Sequence, residues 1–365
     1  MSNSLFTDPS AQTLRNIRVL ELASVLAGPL AGTALAERGA QVTKVERPPA
    51  GDVTRSWKTS REDGLSASSA YYESANGNKE VVWKDLSTEE GRHWLESALY
   101  NSDVLIQNFK SADLKKFGLE PEVLAKHHPH VVHVRLLGFE DDPDRLAYDV
   151  VVQAEAGYMH MNGETDGPPL RMPVALMDVL ASHQIRMAVM EGLLAKQMGH
   201  QGFYAEVSLE ASGISALVNQ ASNHLNNGIN PTRNSGVHPN IAPYGETLAC
   251  QDGFVVLAVG NDRQFEGLCH VLGCPSLSTS DEFKSNQDRV RNRASLISTL
   301  QNSAESWKKN ELERALRKQG VPAGVVRDLS EVFESNAQGA SWIVANESGA
   351  LRPKSVAYRV QFLGS

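Results

Sequence analysis

Over the first hundred or so residues, short β-branched runs alternate with longer stretches of helical periodicity, a pattern that predicts a parallel sheet covered by helices. Residues 17–22 read as a buried strand, and 27–38 (AGPLAGTALAER) as a small-residue helix, with Pro29 tolerated in its first turn and Gly39 as its stop. Residues 41–46 give the second strand, closed by the turn Pro48-Pro49-Ala50-Gly51, and complete a βαβ unit. Further strands are predicted at 79–83, 104–107 and 131–137. Ser87-Thr88-Glu89-Glu90 has the spacing of a capping box that opens a helix reaching about residue 100. A helical segment holds Leu114 and Phe117, and the next helix ends at Pro129. A long helix is predicted from Asp178 to about Met198, a strand at 203–209 and helical sequence over 211–232. Three prolines within 230–243 mark a boundary, beyond which a strand at 253–259 and several helices form a smaller α+β unit. The fold class is therefore α/β, with the large domain placed at 1–225, a small domain at 230–330 and a C-terminal segment at 331–365.

Open sheets of this kind bind ligands beyond the C-terminal ends of their strands, which directs attention to residues 23–28, 47–52, 108–110 and 138–142. Composition narrows the ligand. The 365 residues carry 35 Lys and Arg against 43 Asp and Glu, a formal charge of −8, with 41% hydrophobic and 21% charged residues. This is an ordinary globular balance, and without a basic block nucleic acid is excluded as the main partner. No apolar run is long enough to span a membrane, and residues 1–16 lack the apolar core of a secretion signal, so the expected location is the cytoplasm, with no membrane partner. Cys250, Cys269 and Cys274 form neither a disulfide framework nor a CxxC pair and read as buried free thiols.

His127, His128, His130 and His133 invite a metal reading, but a helix end and a strand face point their rings apart, so no metal is expected. Gly28, Gly32 and Gly39 do not make G-x-G-x-x-G, which disfavours a nicotinamide or flavin dehydrogenase, and the Walker A, G-x-S-x-G and H-E-x-x-H signatures are absent. One carboxylate stands out. Asp178 lies at the predicted start of the long helix, where an isolated Asp reads first as an N-cap, while a nucleophile that the helix N-terminus keeps ionised near neutral pH stays open beside it.

Several segments, taken together and in order, carry a resemblance. They include Val25-Leu26-Ala27-Gly28-Pro29, Val45-Glu46-Arg47-Pro48 with Gly51-Asp52, Asn76-Gly77-Asn78-Lys79, Gln107-Asn108-Phe109, Phe117-Gly118-Leu119, Tyr148-Asp149 with Gln153, Pro173 to Asp178, Ala242-Pro243-Tyr244-Gly245 and Gly320-Val321-Pro322. Over about residues 16–335 the chain resembles the family III coenzyme A transferases. The resemblance implies transfer of CoA from an acyl-CoA to a small carboxylic acid, with Asp178 as nucleophile passing through an aspartyl anhydride and an aspartyl-CoA thioester. CoA and acyl-CoA would be substrates, with no tightly bound cofactor. Ser24, Val25, Leu26, Ala27, Asn108 and Phe109 would wall the CoA site, Arg47 would lie against the adenine, Lys79 and Lys116 would approach the phosphates, and Tyr148 would sit near the thioester. The implied architecture is a Rossmann-like large domain joined by the C-terminal tail, in an interlocked homodimer. A 2-methylacyl-CoA racemase-like enzyme is the neighbouring alternative, but Tyr148 stands where racemases carry a proton-transferring His; a non-catalytic CoA-binding protein is the other. The ending at Ser365 departs from the family's usual longer C-terminus, and no glycine-rich loop of the oxalate-specific type occurs around residues 234–240.

Overall fold

A computed structural model describes residues 12–334 and 342–360; residues 1–11 and 361–365, on which the readings of both chain ends partly rest, lie outside it. Six parallel strands form the central sheet: β1 (Arg18–Glu21), β2 (Gln41–Glu46), β3 (Glu80–Trp83), β4 (Val104–Gln107), β5 (Val132–Leu137) and β6 (Tyr204–Ser208). Their spatial order is β3-β2-β1-β4-β5-β6, the doubly wound order in which the sheet grows first one way and then the other from β1. Each face is covered. Ala27, Ala31 and Leu35 of the helix Ala27–Glu37 and Met177, Ala181, Ile185 and Val189 of the helix Leu176–Gln197 pack on one side, their spacing of four residues aligning them as stripes. On the other side, Leu95, Leu99, Leu114 and Leu124 come from the helices Glu89–Tyr100, Ser111–Phe117 and Pro121–His127.

The described residues divide into two compact units. The larger takes in the chain up to Tyr158, Arg171–Ile229 and the tail from residue 342; the smaller takes in Met159–Leu170 and the chain from Asn230 to Glu334. Met159–Leu170 corrects the expected division, which left it in the large domain. The reason is local hydrogen bonding: Ser235 N–H donates to Gly163 O at 3.1 Å and Arg233 Nε to Gly167 O at 3.0 Å. The tail from residue 342 is tied to the larger unit by Arg352, paired with Glu37, and by Asn346 Nδ2, which donates to Glu73 O at 3.0 Å. The smaller unit is an antiparallel sheet of β7 (Tyr244–Cys250), β8 (Gly253–Ala258) and β9 (Ala323–Val325) backed by helices, with Leu248, Val255, Phe265, Leu296 and Leu312 in its core. One cap is also corrected. The cap of the helix Glu89–Tyr100 is Thr88, whose Oγ1 accepts from Gly91 N–H at 3.0 Å, because Ser87 is engaged by Asp85 Oδ1 at 2.6 Å.

Under the C-terminal ends of β1 and β2 lies a charge cluster closed to water. Register pairs Glu21 with Lys44 across the two strands. Lys44 Nζ stands 3.3 Å from Glu21 Oε1, 3.1 Å from Asp52 Oδ2 and 2.9 Å from Ala23 O. From the opposite side Lys79 Nζ donates to Glu21 Oε2 at 2.8 Å. Two ammonium groups thus answer two carboxylates. Gly32 makes room for this arrangement, since a Cβ there would overlap the Glu21 carboxylate, which its two lysines hold in place. Breaking a buried pair costs several kcal/mol, so Gly32→Ala is expected to lower unfolding stability by about 3 kcal/mol in a denaturant titration. Gly64→Ala, where nothing lies within 4 Å, serves as the control and leaves the midpoint unchanged.

Candidate active site

Because β1 and β4 lie side by side while their connections diverge, a crevice opens beyond their C-terminal ends. The residues that leave the two strands are tied together there. Ser24 N–H donates to Asn108 Oδ1 and Asn108 Nδ2 returns a bond to Ser24 O, both at 3.2 Å. Val25 follows in the left-handed region at φ 72°, a strained conformation for a β-branched residue. Asp52 holds it, accepting Val25 N–H at 3.1 Å, and is itself fixed by Thr54 N–H at 3.0 Å and by Lys44. The turn so formed aims Ala27 N–H, at the start of its helix, at the carboxyl of Asp178.

Asp178 is not the cap of its own helix. That position is Ala175, and the leading N–H groups are taken by Asp149: Met177 N–H donates to Asp149 Oδ1 at 2.7 Å, and Asp178 N–H bonds the same carboxylate. One turn along, Gln153 Nε2 donates to Asp149 Oδ2 at 2.6 Å while its Oε1 accepts Met172 N–H at 2.7 Å. Asp149 and Gln153 therefore position the segment entering the long helix and leave the Asp178 carboxyl unneeded for capping.

The electrostatics follow from this geometry and reverse an expectation. Asp178 is only 9% exposed, and burial first, then the charge of Asp149, pushes its carboxyl up to about 7, against the pull of Ala27 N–H. A helix N-terminus was expected to keep it fully ionised, but those donors serve Asp149. The Tyr71 phenol is pushed up to about 12, by burial and then by Asp178 and Asp149, so it stays a neutral hydroxyl. Its ring lies 5.1 Å from that of Trp57, which lies 6.3 Å from Tyr148, giving the site an aromatic wall.

A cavity of about 200 Å³ brings together Asp178, Ser24, Val25, Asn108, Phe109 and Tyr148. Ser24 and Phe109 also line a second cavity of about 270 Å³, which holds Arg47 and Lys116. Two sequence-predicted residues, Leu26 and Lys79, fall elsewhere, and Ala27 contributes through its backbone. Leu26 and Ala27 bury their side chains, so the backbone N–H of Ala27 is what reaches the site. Lys79 cannot approach a phosphate: its ammonium has no exposed surface and donates to Glu21, to Pro29 O at 2.8 Å and to Ala75 O at 2.9 Å, and burial pushes it down to about 8. Sequence reasoning missed Asp149, Gln153, Asp52 and Tyr71 as site residues. The spacing of Asp149 and Gln153, one helical turn apart on one face, was the available signal for that pair.

A buried carboxylate thus stands at the switch point of a doubly wound sheet that carries no glycine-rich phosphate loop. The comparisons give the family. The model described as CoA-transferase family III matches residues 14–359. A succinate–glutarate CoA-transferase of Agrobacterium fabrum is 36% identical over 349 residues, covering 93% of this chain and 87% of that protein. The succinyl-CoA:glutarate CoA-transferase of Homo sapiens is 32% identical over 323 residues, covering 88% and 73%. A crystal structure of a CaiB/BaiF family protein from Brucella suis superposes with a TM-score of 0.81 at 34% identity, covering 95% of this chain and 92% of that one. The chain belongs to CoA-transferase family III, and it is a CoA-transferase.

The raised Asp178 carboxyl makes a stability prediction of definite sign. Below about pH 4 both folded and unfolded chains hold its proton. Between about pH 4 and 7 the unfolded chain releases the proton first, so stability falls as pH rises, at up to about 1.4 kcal/mol per unit. Asp178→Asn removes this cost. It is expected to melt at a higher temperature than the parent at pH 8 and with little difference at pH 4, as read by calorimetry.

Proposed function

We propose that the chain moves CoA between dicarboxylic acids, taking it from succinyl-CoA to glutarate or an acid of similar length, with Asp178 as the covalent relay. The observation that carries this reading is the Asp178 carboxyl itself, buried in a cavity, free of capping duty and facing one backbone donor. The ionised oxygen attacks the thioester carbonyl. The C–S bond breaks, CoA leaves as thiolate, and Asp178 is left as a mixed anhydride with the donor acid. The thiolate then attacks the aspartyl carbonyl, releasing the donor carboxylate and leaving CoA as a thioester on Asp178. The acceptor carboxylate runs both steps in reverse. Ala27 N–H faces the charge that gathers on the aspartyl oxygen, and burial leaves the attacking oxygen weakly solvated and keeps water from the anhydride.

In this reading the pantetheine end of CoA occupies the cavity of Asp178, between Asn108, Phe109 and Tyr148, and the nucleotide end occupies the second, where Lys116 serves the phosphates and Arg47, 74% exposed at its side chain, covers the adenine. The activities for which the two relatives are named support succinyl and glutaryl groups, and Lys110, which lines the Asp178 cavity, offers counter-charge to a second carboxylate. The assembly proposed is a homodimer. Met187, Met190, Leu194 and Met198, all exposed along one flank of the long helix, support it, because a lone chain gains nothing by wetting four aligned apolar side chains.

The enzyme incubated with succinyl-CoA and a panel of carboxylates, followed by mass spectrometry of the CoA thioesters, is expected to give glutaryl-CoA and to lose that product in Asp178→Ala. Silence with every dicarboxylate overturns the substrate proposal. Because the carboxylate must be ionised to attack, kcat/KM is expected to rise with pH through about 7 rather than about 4. Light scattering is expected to read twice the chain mass of 39.7 kDa; a monomer refutes the dimer.

A further inference from the structure

In the smaller unit the helix Asp262–Val271 ends in a Schellman motif. Gly273 takes φ 71°, its N–H donates to His270 O at 3.2 Å, and Cys274 N–H reaches back to Cys269 O at 2.9 Å. This motif sets the side chain after the glycine against the side chain in the last helical turn, a contact that is usually hydrophobic. Here both positions are cysteine, and both side chains pack into the core of the smaller unit. Cys269 is fully buried in the core of the smaller unit, whereas Cys274, like Cys250, is only partly buried, which corrects the reading of all three cysteines as buried.

We propose that Cys269 and Cys274 are a peroxide-oxidisable thiol pair, with Cys274 the attacking sulfur and Cys269 the resolving one. The Cys274 thiolate attacks one oxygen of hydrogen peroxide, the O–O bond breaks, and the products are a sulfenic acid and, after protonation, water. The Cys269 sulfur then attacks the Cys274 sulfur, the S–O bond breaks, a second water leaves with the Cys269 proton, and a disulfide remains. Two thiols lose two electrons together and one peroxide is reduced to two waters.

Access and acidity both favour this order. The reactive species is the thiolate, and the neighbouring Cys269 holds the Cys274 thiol below its ordinary pKa while the Cys269 thiol is itself pushed up. Solvent reaches Cys274 and not Cys269. The third cysteine is an internal control. Burial and Asp252 push the Cys250 thiol up, and its sulfur faces Leu248 O at 3.9 Å.

The full chain is treated with hydrogen peroxide, unfolded, alkylated and mapped by peptide mass spectrometry. The expected result is loss of two hydrogens in a 269–274 linkage while Cys250 is alkylated in full. With dimedone present, Cys269→Ala is expected to carry the adduct on Cys274, and Cys274→Ala to carry none on Cys269. The proposal is overturned if Cys250 oxidises as fast as the pair, or if the pair stays reduced at a peroxide excess that oxidises free cysteine. Should Cys269→Ala not fold, the linkage map of the parent chain decides alone.

Discussion

Lys44 joins the sheet to the chemistry. Its ammonium, 1% exposed, has no water to solvate it and is held by Glu21, by Asp52 and by the carbonyl of Ala23, the residue on which β1 runs out into the loop. Burial works to lower its pKa, but the facing carboxylates of Glu21 and Asp52 outweigh that and raise it, so the group remains charged. A buried charge with fixed partners tolerates few geometries, because any displacement strands a charge in a medium that cannot answer it. The constraint is passed along by an ion pair, a hydrogen bond and a short run of backbone. Lys44 fixes Asp52, Asp52 fixes the N–H of Val25 in a backbone conformation that valine would not choose, and two residues later the N–H of Ala27 meets Asp178.

A second device acts from the other side. The loop before the long helix could leave Asp178 to cap its own N-terminus, and a capping aspartate is stabilised as the anion and held in place, which makes it a poor nucleophile. Asp149 takes over that duty, with Gln153 holding it against Met172. The outcome is a division of labour between two neighbouring carboxylates. One accepts several N–H groups and organises the helix entry, although burial raises its pKa as well; the other faces the N–H of Ala27 and, with its own burial and the charge of the first close by, has its carboxyl pushed up to about 7. Environments that push two like groups into different roles are how an acid can be made reactive near neutrality.

Much of this was legible in the chain. The strands β2 and β4 fall where alternation and β-branching put them, the small-residue helix is where Ala and Gly cluster, and Asp178 stood out at the head of a long apolar stripe. What could not be read was which polar group pairs with which. Lys79 looks like any basic residue beyond a strand, and only the packing of Gly32 against Glu21 reveals that its ammonium is enclosed. Whether Asp178 caps the long helix stayed open for the same reason: the acceptor that serves Met177 N–H lies 28 residues away in sequence. Ser87 shows the limit at shorter range, since its spacing suits a capping box but Asp85 engages it first.

The sheet order is that of dinucleotide-binding domains, yet the helix after β1 is put to another use. In those domains the first turn of that helix receives a pyrophosphate on free N–H groups, and glycines let the phosphates come close. Here the chain carries Val25 and Leu26 at the approach, and the N–H of Ala27 is occupied by the Asp178 carboxyl. A pyrophosphate placed at that point would face a carboxylate across a helix end that the carboxylate already fills. In the function proposed above, phosphates go instead to the cavity that Arg47 and Lys116 line, and that donor position serves the acyl-transferring group. On that proposal, the backbone geometry that elsewhere grips a cofactor is turned toward a covalent intermediate, and the absence of the glycine fingerprint is the trace that exchange leaves in the sequence.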